Sequence, residues 1–225
     1  MEILSPKKIK VPPMTITVAH NSSFDYTDPV HGVPMTKSIT TISMGQMGPN
    51  NPHLGFPNRP TEEQLKVFGG MQALIKSCVD NAEDIKDRLH NILKGKSLPK
   101  TEEERLKLMN MTFMKLKIWF INDIINTKKY KEFSVYNSTK KLSQFSKVFD
   151  IFVVDRNKYT HGQLCFLSPS FEYLLEYIDA PEQQKRYAYL DITTLKSYNT
   201  CFVEIRKVIT EYTVADQNNL LKKHS

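Results

Sequence analysis

The sequence predicts an all-α protein, an antiparallel bundle of four to five helices with an irregular, weakly β N-terminal arm. Three observations carry this reading. After Pro60, apolar residues recur at alternating spacings of three and four, the signature of amphipathic helices. Helix-capping patterns stand in front of two of these periodic runs. Residues 1–60 instead hold nine of the twelve prolines and half of the eight glycines, which disfavours regular helix there. A chain of 225 residues can bury a sizeable core without disulfides or a structural metal. The expected organisation is an arm over 1–60, a bundle over 61–215 and a frayed tail over 216–225.

Within the arm, Met14–His20 and Ser38–Met44 contain enough alternation and β-branched residues to form weak strands that pair with each other. The first long helix follows from Phe68, Met71, Ile75, Cys78, Ala82, Ile85, Leu89 and Ile92. Thr61 with Gln64 forms a capping-box start, and Gly95 followed by Pro99 a stop. Thr101-Glu102-Glu103-Glu104 opens a second element that runs through Leu106, Met109, Phe113, Leu116 and Phe120 to about Asn126. A third is read from Leu142, Phe145, Phe149 and Phe152, widened by Val148 and Ile151. Ser168-Pro169 would start a short apolar helix through Phe171, Leu174, Leu175 and Ile178. Asp191 would cap the last helix, along Leu195, Tyr198, Phe202, Ile205, Ile209 and Tyr212.

The net charge is +7, and residues 128–161 carry eight Lys or Arg against three acids. Lys128, Lys129, Lys131, Lys140 and Lys141, with Lys158 further on, alternate with Tyr130, Phe133 and Tyr136. That mixture suits phosphate attraction and base stacking, and it equally suits a solvated loop with aromatic anchors. Cys78, Cys165 and Cys201 are odd in number and widely spaced, which fits apolar core residues in a reducing compartment, so a cytoplasmic location is expected. No apolar run reaches the length of a membrane span. The scattered histidines have no metal-ligand spacing, and neither a Gly-rich phosphate loop nor a nucleophile elbow is present, so no metal and no cofactor is called for.

The most informative stretch is Arg156-Asn157-Lys158-Tyr159-Thr160-His161, followed by Gly162. At this composition the strict pattern R-N-x-x-x-H arises by chance on the order of once in a hundred such chains. Arg156 and Tyr159 extend the apolar stripe of the third long helix, where a charge needs a partner, a ligand or an interface. On an ideal helix Asn157 and His161 lie about 40° apart, and Arg156 about 140° from His161. Convergence of all three therefore requires the helix to end or bend near Gly162, a residue suited to a left-handed cap. His161 has the chemistry of a general acid or base near neutral pH, and Arg156 that of a phosphate ligand. Asn157 would orient the histidine or bind the phosphate, while Tyr159 is assigned to packing. Asp155 is expected at the helix surface, paired with Lys158 or screening Arg156. A purely structural reading is also open, because Arg and His near a helix C-terminus interact favourably with its dipole.

A helical bundle whose late helix ends in Arg156-Asn157-x-x-x-His161-Gly162 resembles the HEPN superfamily of ribonucleases. The resemblance is strong at the hexapeptide and architectural elsewhere over 61–215. It implies a metal-independent endoribonuclease in a toxin or antiviral defence system. Two copies of the motif would face each other in a homodimer with a composite active site, and the ribose 2'-hydroxyl would attack the adjacent phosphate. Arg156, Asn157 and His161 would be the catalytic set, RNA the partner, with an activating or inhibiting protein as a further one. In one toxin branch of that superfamily a tyrosine two residues after the histidine is modified by a partner enzyme. This chain has Gln163 there, so that partner is not expected. The alternative is a catalytically inactive HEPN-like bundle that binds protein or RNA.

Overall fold

The computed structural model describes residues 2–8, 16–27, 34–44, 61–96, 101–168, 172–179 and 184–223. The described residues are mostly helical and carry one six-stranded sheet. In order the elements are β1 (Lys7–Lys8), β2 (Ile16–Thr27), β3 (Pro34–Met44), α1 (Glu62–Lys96), α2 (Glu102–Met109), α3 (Phe113–Asn126), α4 (Thr139–His161), β4 (Gln163–Ser168), β5 (Glu172–Asp179), β6 (Gln184–Tyr189) and α5 (Ile192–Lys223). A short 3-10 turn over Lys129–Glu132 separates α3 from α4. Two compact units share the chain, one of residues 1–5, 75–157 and 193–225, the other of residues 6–74 and 158–192. Met14, Pro99, Pro169, Phe171 and His224 lie outside the described residues.

The first unit is the helical bundle. Its core is built from Cys78, Ala82, Ile85 and Leu89 of α1, Phe113, Leu116, Phe120 and Ile124 of α3, Leu142, Phe145, Phe149 and Phe152 of α4, and Leu195, Tyr198, Ile205 and Tyr212 of α5, all buried. Tyr198 stacks on Phe152 at 4.2 Å and its hydroxyl donates to the Phe152 carbonyl at 3.0 Å, which satisfies the buried polar end of the ring. Phe113 packs on both Phe149 and Phe152, and Lys117 donates to Ser146 and Asp150, so α3 and α4 run antiparallel. The bundle is not antiparallel throughout. Cys78 meets the Leu195 carbonyl, Asn81 meets Asn199, and Lys96 lies over Tyr212, so α1 and α5 run parallel.

Helix and strand boundaries depart from expectation in several places, and α5 runs to Lys223 where a frayed tail is expected from residue 216. The second predicted helix is broken into α2 and α3, because Thr112 adopts an extended backbone and its side chain accepts from Lys115 N as a fresh N-cap. With that break α2 buries none of its residues, and Leu106 and Met109 stand exposed. The short helix expected through Leu174, Leu175 and Ile178 is strand: β5 buries Leu174, Leu175 and Tyr177 between two neighbouring strands. A short apolar run satisfies both periods, and sheet pairing decides between them.

The sheet belongs to the second unit, in the order β1-β6-β5-β4-β3-β2. β2 and β3 form an antiparallel hairpin with Ile16 opposite Met44 and Thr27 opposite Pro34. β3 then lies parallel to β4, Thr40 opposite Cys165, and the other neighbours are antiparallel. An all-α description therefore fits the first unit only. In the second, Phe68 of α1 stacks on Phe166 at 4.8 Å beside Tyr173. The start of α1 is the expected capping box: Thr61 N donates to Gln64 Oε1 at 2.8 Å and Gln64 N to Thr61 Oγ1 at 3.2 Å. No helix of the described residues is long and apolar enough to cross a membrane.

Candidate functional site

The stripe that builds α4 places the motif. Leu142, Phe145, Phe149 and Phe152 are buried at spacings of three and four, and the next positions are Arg156 and Tyr159. Tyr159 is buried, in line with a packing role. Arg156 is half-buried and has the partner its position demands. Its Nη2 forms an ion pair with Glu83 Oε1 of α1, and its Nη1 donates to Asn157 Oδ1 at 3.0 Å. The second Glu83 oxygen lies 3.5 Å from Lys86 Nζ, one turn along the same helix. Asn157 itself is exposed.

Asp155 is not a surface acid. It is 1 % exposed and accepts a hydrogen bond from Ser5 Oγ at 2.7 Å, which ties residues near the N-terminus to α4. Ile151, placed with the apolar face by spacing, is exposed instead. The buried side of α4 takes in Val153 and Asp155 in its place.

The helix is continuous to His161, its last residue, which is exposed. Among the described residues the imidazole has no hydrogen-bond or ion-pair partner. Gly162 does not take a left-handed conformation. Its role is steric: a Cβ there would run into the Lys158 carbonyl oxygen, with Leu175 Cδ1 at 2.8 Å and the Glu176 carbonyl oxygen at 3.0 Å. The Arg156 guanidinium lies against the Asn157 side chain through the bond from Nη1 to Oδ1.

The lysines expected on RNA divide into two groups. Lys128, Lys131, Lys140 and Lys141 are exposed, Lys128 with a left-handed backbone at φ 56° and Lys141 bonded to Asn137 Oδ1 at 3.3 Å. Lys129 is only 4 % exposed and pairs with Asp216 and, at 3.8 Å, with Asp123. It is a buried structural cation, not part of a basic surface. Lys158 is half-buried with its ammonium 5.7 Å from the centre of the Tyr177 ring. Lys140 and Lys141 belong to the first turn of α4. Lys141 precedes Arg156 by fifteen residues on that helix, about 22 Å at the rise of an α-helix.

Glu83, Lys86 and Ser5 were missed by spacing arguments, since none belongs to a motif of its own. The available signal was indirect: a guanidinium on a buried stripe requires a carboxylate, and α1 carries several beside its apolar face. No family model matches the chain, and neither a curated protein nor a solved structure matches it.

Proposed function

We propose that the chain is a HEPN-type, metal-independent endoribonuclease that works as a homodimer with a composite active site, in a toxin or antiviral defence system. The observation that carries the reading is the last part of α4: its final residue, His161, is exposed, and the Arg156 guanidinium is held by Glu83 and Asn157. In this reaction the 2'-oxygen forms a bond to the adjacent phosphorus and the bond to the 5'-oxygen breaks. The 2'-hydroxyl proton leaves to a base and the departing 5'-oxygen gains one from an acid, roles that an imidazole fills near neutral pH. Arg156 offers charge to the phosphate as its oxygens become more negative. In this reading a second copy of the motif completes the site across the dimer. The exposed Lys128, Lys131, Lys140 and Lys141 would engage other nucleotides of the same RNA.

Purified protein incubated with mixed RNA in chelator tests this. Cleavage leaving cyclic phosphate ends is expected, and Arg156→Ala or His161→Ala should each slow it by roughly a hundredfold or more. Intact RNA across substrates, or cutting that survives both substitutions, overturns the proposal.

One observation favours a second reading, an inactive HEPN-like bundle that binds protein or RNA. The Arg156–Glu83 pair gives the arginine a structural role with no chemistry needed. Under it, His161→Ala weakens self-association or stability, whereas a catalytic role leaves a folded, dimeric, inactive variant. Thermal melting with size measurement separates the two.

A further inference from the structure

A guanidinium on the buried stripe of α4 must exchange its hydration for fixed acceptors, and two of them lie within the first unit. Glu83 Oε1 holds Nη2 from the neighbouring helix, and Asn157 Oδ1 holds Nη1 from the next residue of α4. With one acceptor on each terminal nitrogen, both the plane and the rotation of the fork are set. Glu83 is itself anchored, since its other oxygen faces Lys86 Nζ at 3.5 Å. The carboxylate thus bridges a cation of its own helix and one of α4, 73 positions away in the chain.

We propose that Glu83 is a positioning residue for the reaction: it fixes the Arg156 guanidinium in the plane from which the arginine meets the scissile phosphate. The inference rests on the ribonuclease reading and deepens it, because Glu83 acts only through Arg156 and touches no substrate. A donor fixed before RNA arrives meets the growing negative charge without reorganising, and a misplacement of about 1 Å at such a group is enough to cost a hundredfold in rate. Glu83 is partly exposed, so its role is not explained by filling the core.

The experiment is a four-way comparison of the full-length chain, Glu83→Gln, Arg156→Ala and the double variant. It uses an RNA oligonucleotide in chelator, well below the melting temperature of each protein. Glu83→Gln keeps the side-chain size and loses the charge. It is expected to lower kcat roughly ten- to hundredfold with KM unchanged within about twofold, since ground-state binding is not what it supplies. In the Arg156→Ala background the same substitution is expected to do nothing further, because no guanidinium remains to be positioned. Should Glu83→Gln fail to fold, Glu83→Asp retains the charge but retracts the carboxylate by one methylene, and an intermediate loss of kcat is expected.

A wild-type rate in the folded Glu83 variant overturns the inference. A faster rate does so too, and identifies the carboxylate as a competitor of phosphate for Arg156. Equal losses in both backgrounds reduce Glu83 to a general structural residue. If the unsubstituted protein cuts RNA and Arg156→Ala slows it, any of these results defeats the positioning role alone. If the unsubstituted protein does not cut RNA, the ribonuclease reading fails first and takes this inference with it.

Discussion

Gly162 occupies a point where the last turn of α4 comes so close to β5 that the Leu175 side chain and the Glu176 carbonyl leave no room for a methyl group. Gly162→Ala is therefore expected to destabilise the protein by about 1–3 kcal/mol, the usual cost of forcing atoms into packed backbone, read as a lower urea midpoint. The thiols give a second residue-level expectation. Burial pushes Cys78, Cys165 and Cys201 up to about 12, so thiolate is scarce at pH 8. A thiol reagent should modify none of the three in the native protein and all of them in denaturant; rapid native labelling would contradict the packing described. Asp123 supplies the pH dependence. Burial by itself would raise its pKa, but hydrogen bonds from Lys96 and Tyr212, with the charges of Lys96 and Lys129, outweigh that and hold it below the ordinary value. A depressed folded pKa contributes stability above the unfolded value, near 3.9, and loses it as pH falls through the folded one. Asp123→Asn should accordingly cost about 2 kcal/mol at pH 7, and the gap to the wild type should close below about pH 4. At this scale the sequence was informative about need and silent about supply. The stripe position of Arg156 required a partner, but a partner 73 residues earlier in the chain is chosen by packing, which spacing does not encode.

Capping chemistry made several elements legible, and its limits explain the rest. Thr61 with Gln64 starts α1 as the capping box predicts, because both bonds are local. The same pattern at Thr101 starts α2, where Thr101 Oγ1 accepts from Glu104 N. The end of α2 was not legible: Thr112 re-caps the chain within an apolar rhythm that continues unbroken on either side of it. Since α2 buries no residue, its helix has little tertiary support. Amides of 102–109 are expected to exchange with solvent much faster than those of α3 and α4, and equal protection would contradict that isolation. Strands β4, β5 and β6 were hidden for another reason. Leu174, Leu175 and Ile178 fit a helical face and a strand face alike, and what favours the strand is hydrogen bonding to neighbours, Leu175 lying opposite both Leu164 and Ala188. In the basic segment the signal was composition, which counts charges without placing them. Lys129 and Lys128 are adjacent in sequence, yet one is buried against Asp216 and the other lies in solvent.

At the level of the whole molecule, the chain passes between its two compact units at residues 5/6, 74/75, 157/158 and 192/193, so neither unit is one continuous piece. The N-terminal region is part of both. Ile3 is buried, Leu4 N donates to Ser197 Oγ, and Ser5 donates to Asp155 in the first unit, while β3 pairs with β4 in the second. Removing residues 1–60 leaves the buried Asp155 carboxylate without that donor and exposes an unpaired edge of β4. A truncated chain starting at residue 61 is expected to melt at least about 4 °C lower and to aggregate, judged by calorimetry and size exclusion. A fully stable, monodisperse truncation would show the N-terminal strands to be dispensable. The sequence by itself determined α1, α4 and α5, most of their buried residues and the burial of Tyr159, because a 3.6-residue period and a cap are properties of neighbours along the chain. Tertiary structure alone decided that Gln163–Ser168, Glu172–Asp179 and Gln184–Tyr189 are strands, that Lys129 is interior, and that Glu83 is the carboxylate on Arg156. Each of those depends on groups far apart in sequence meeting in a low-dielectric interior, where the alternative to a partner is an uncompensated charge or an unpaired backbone.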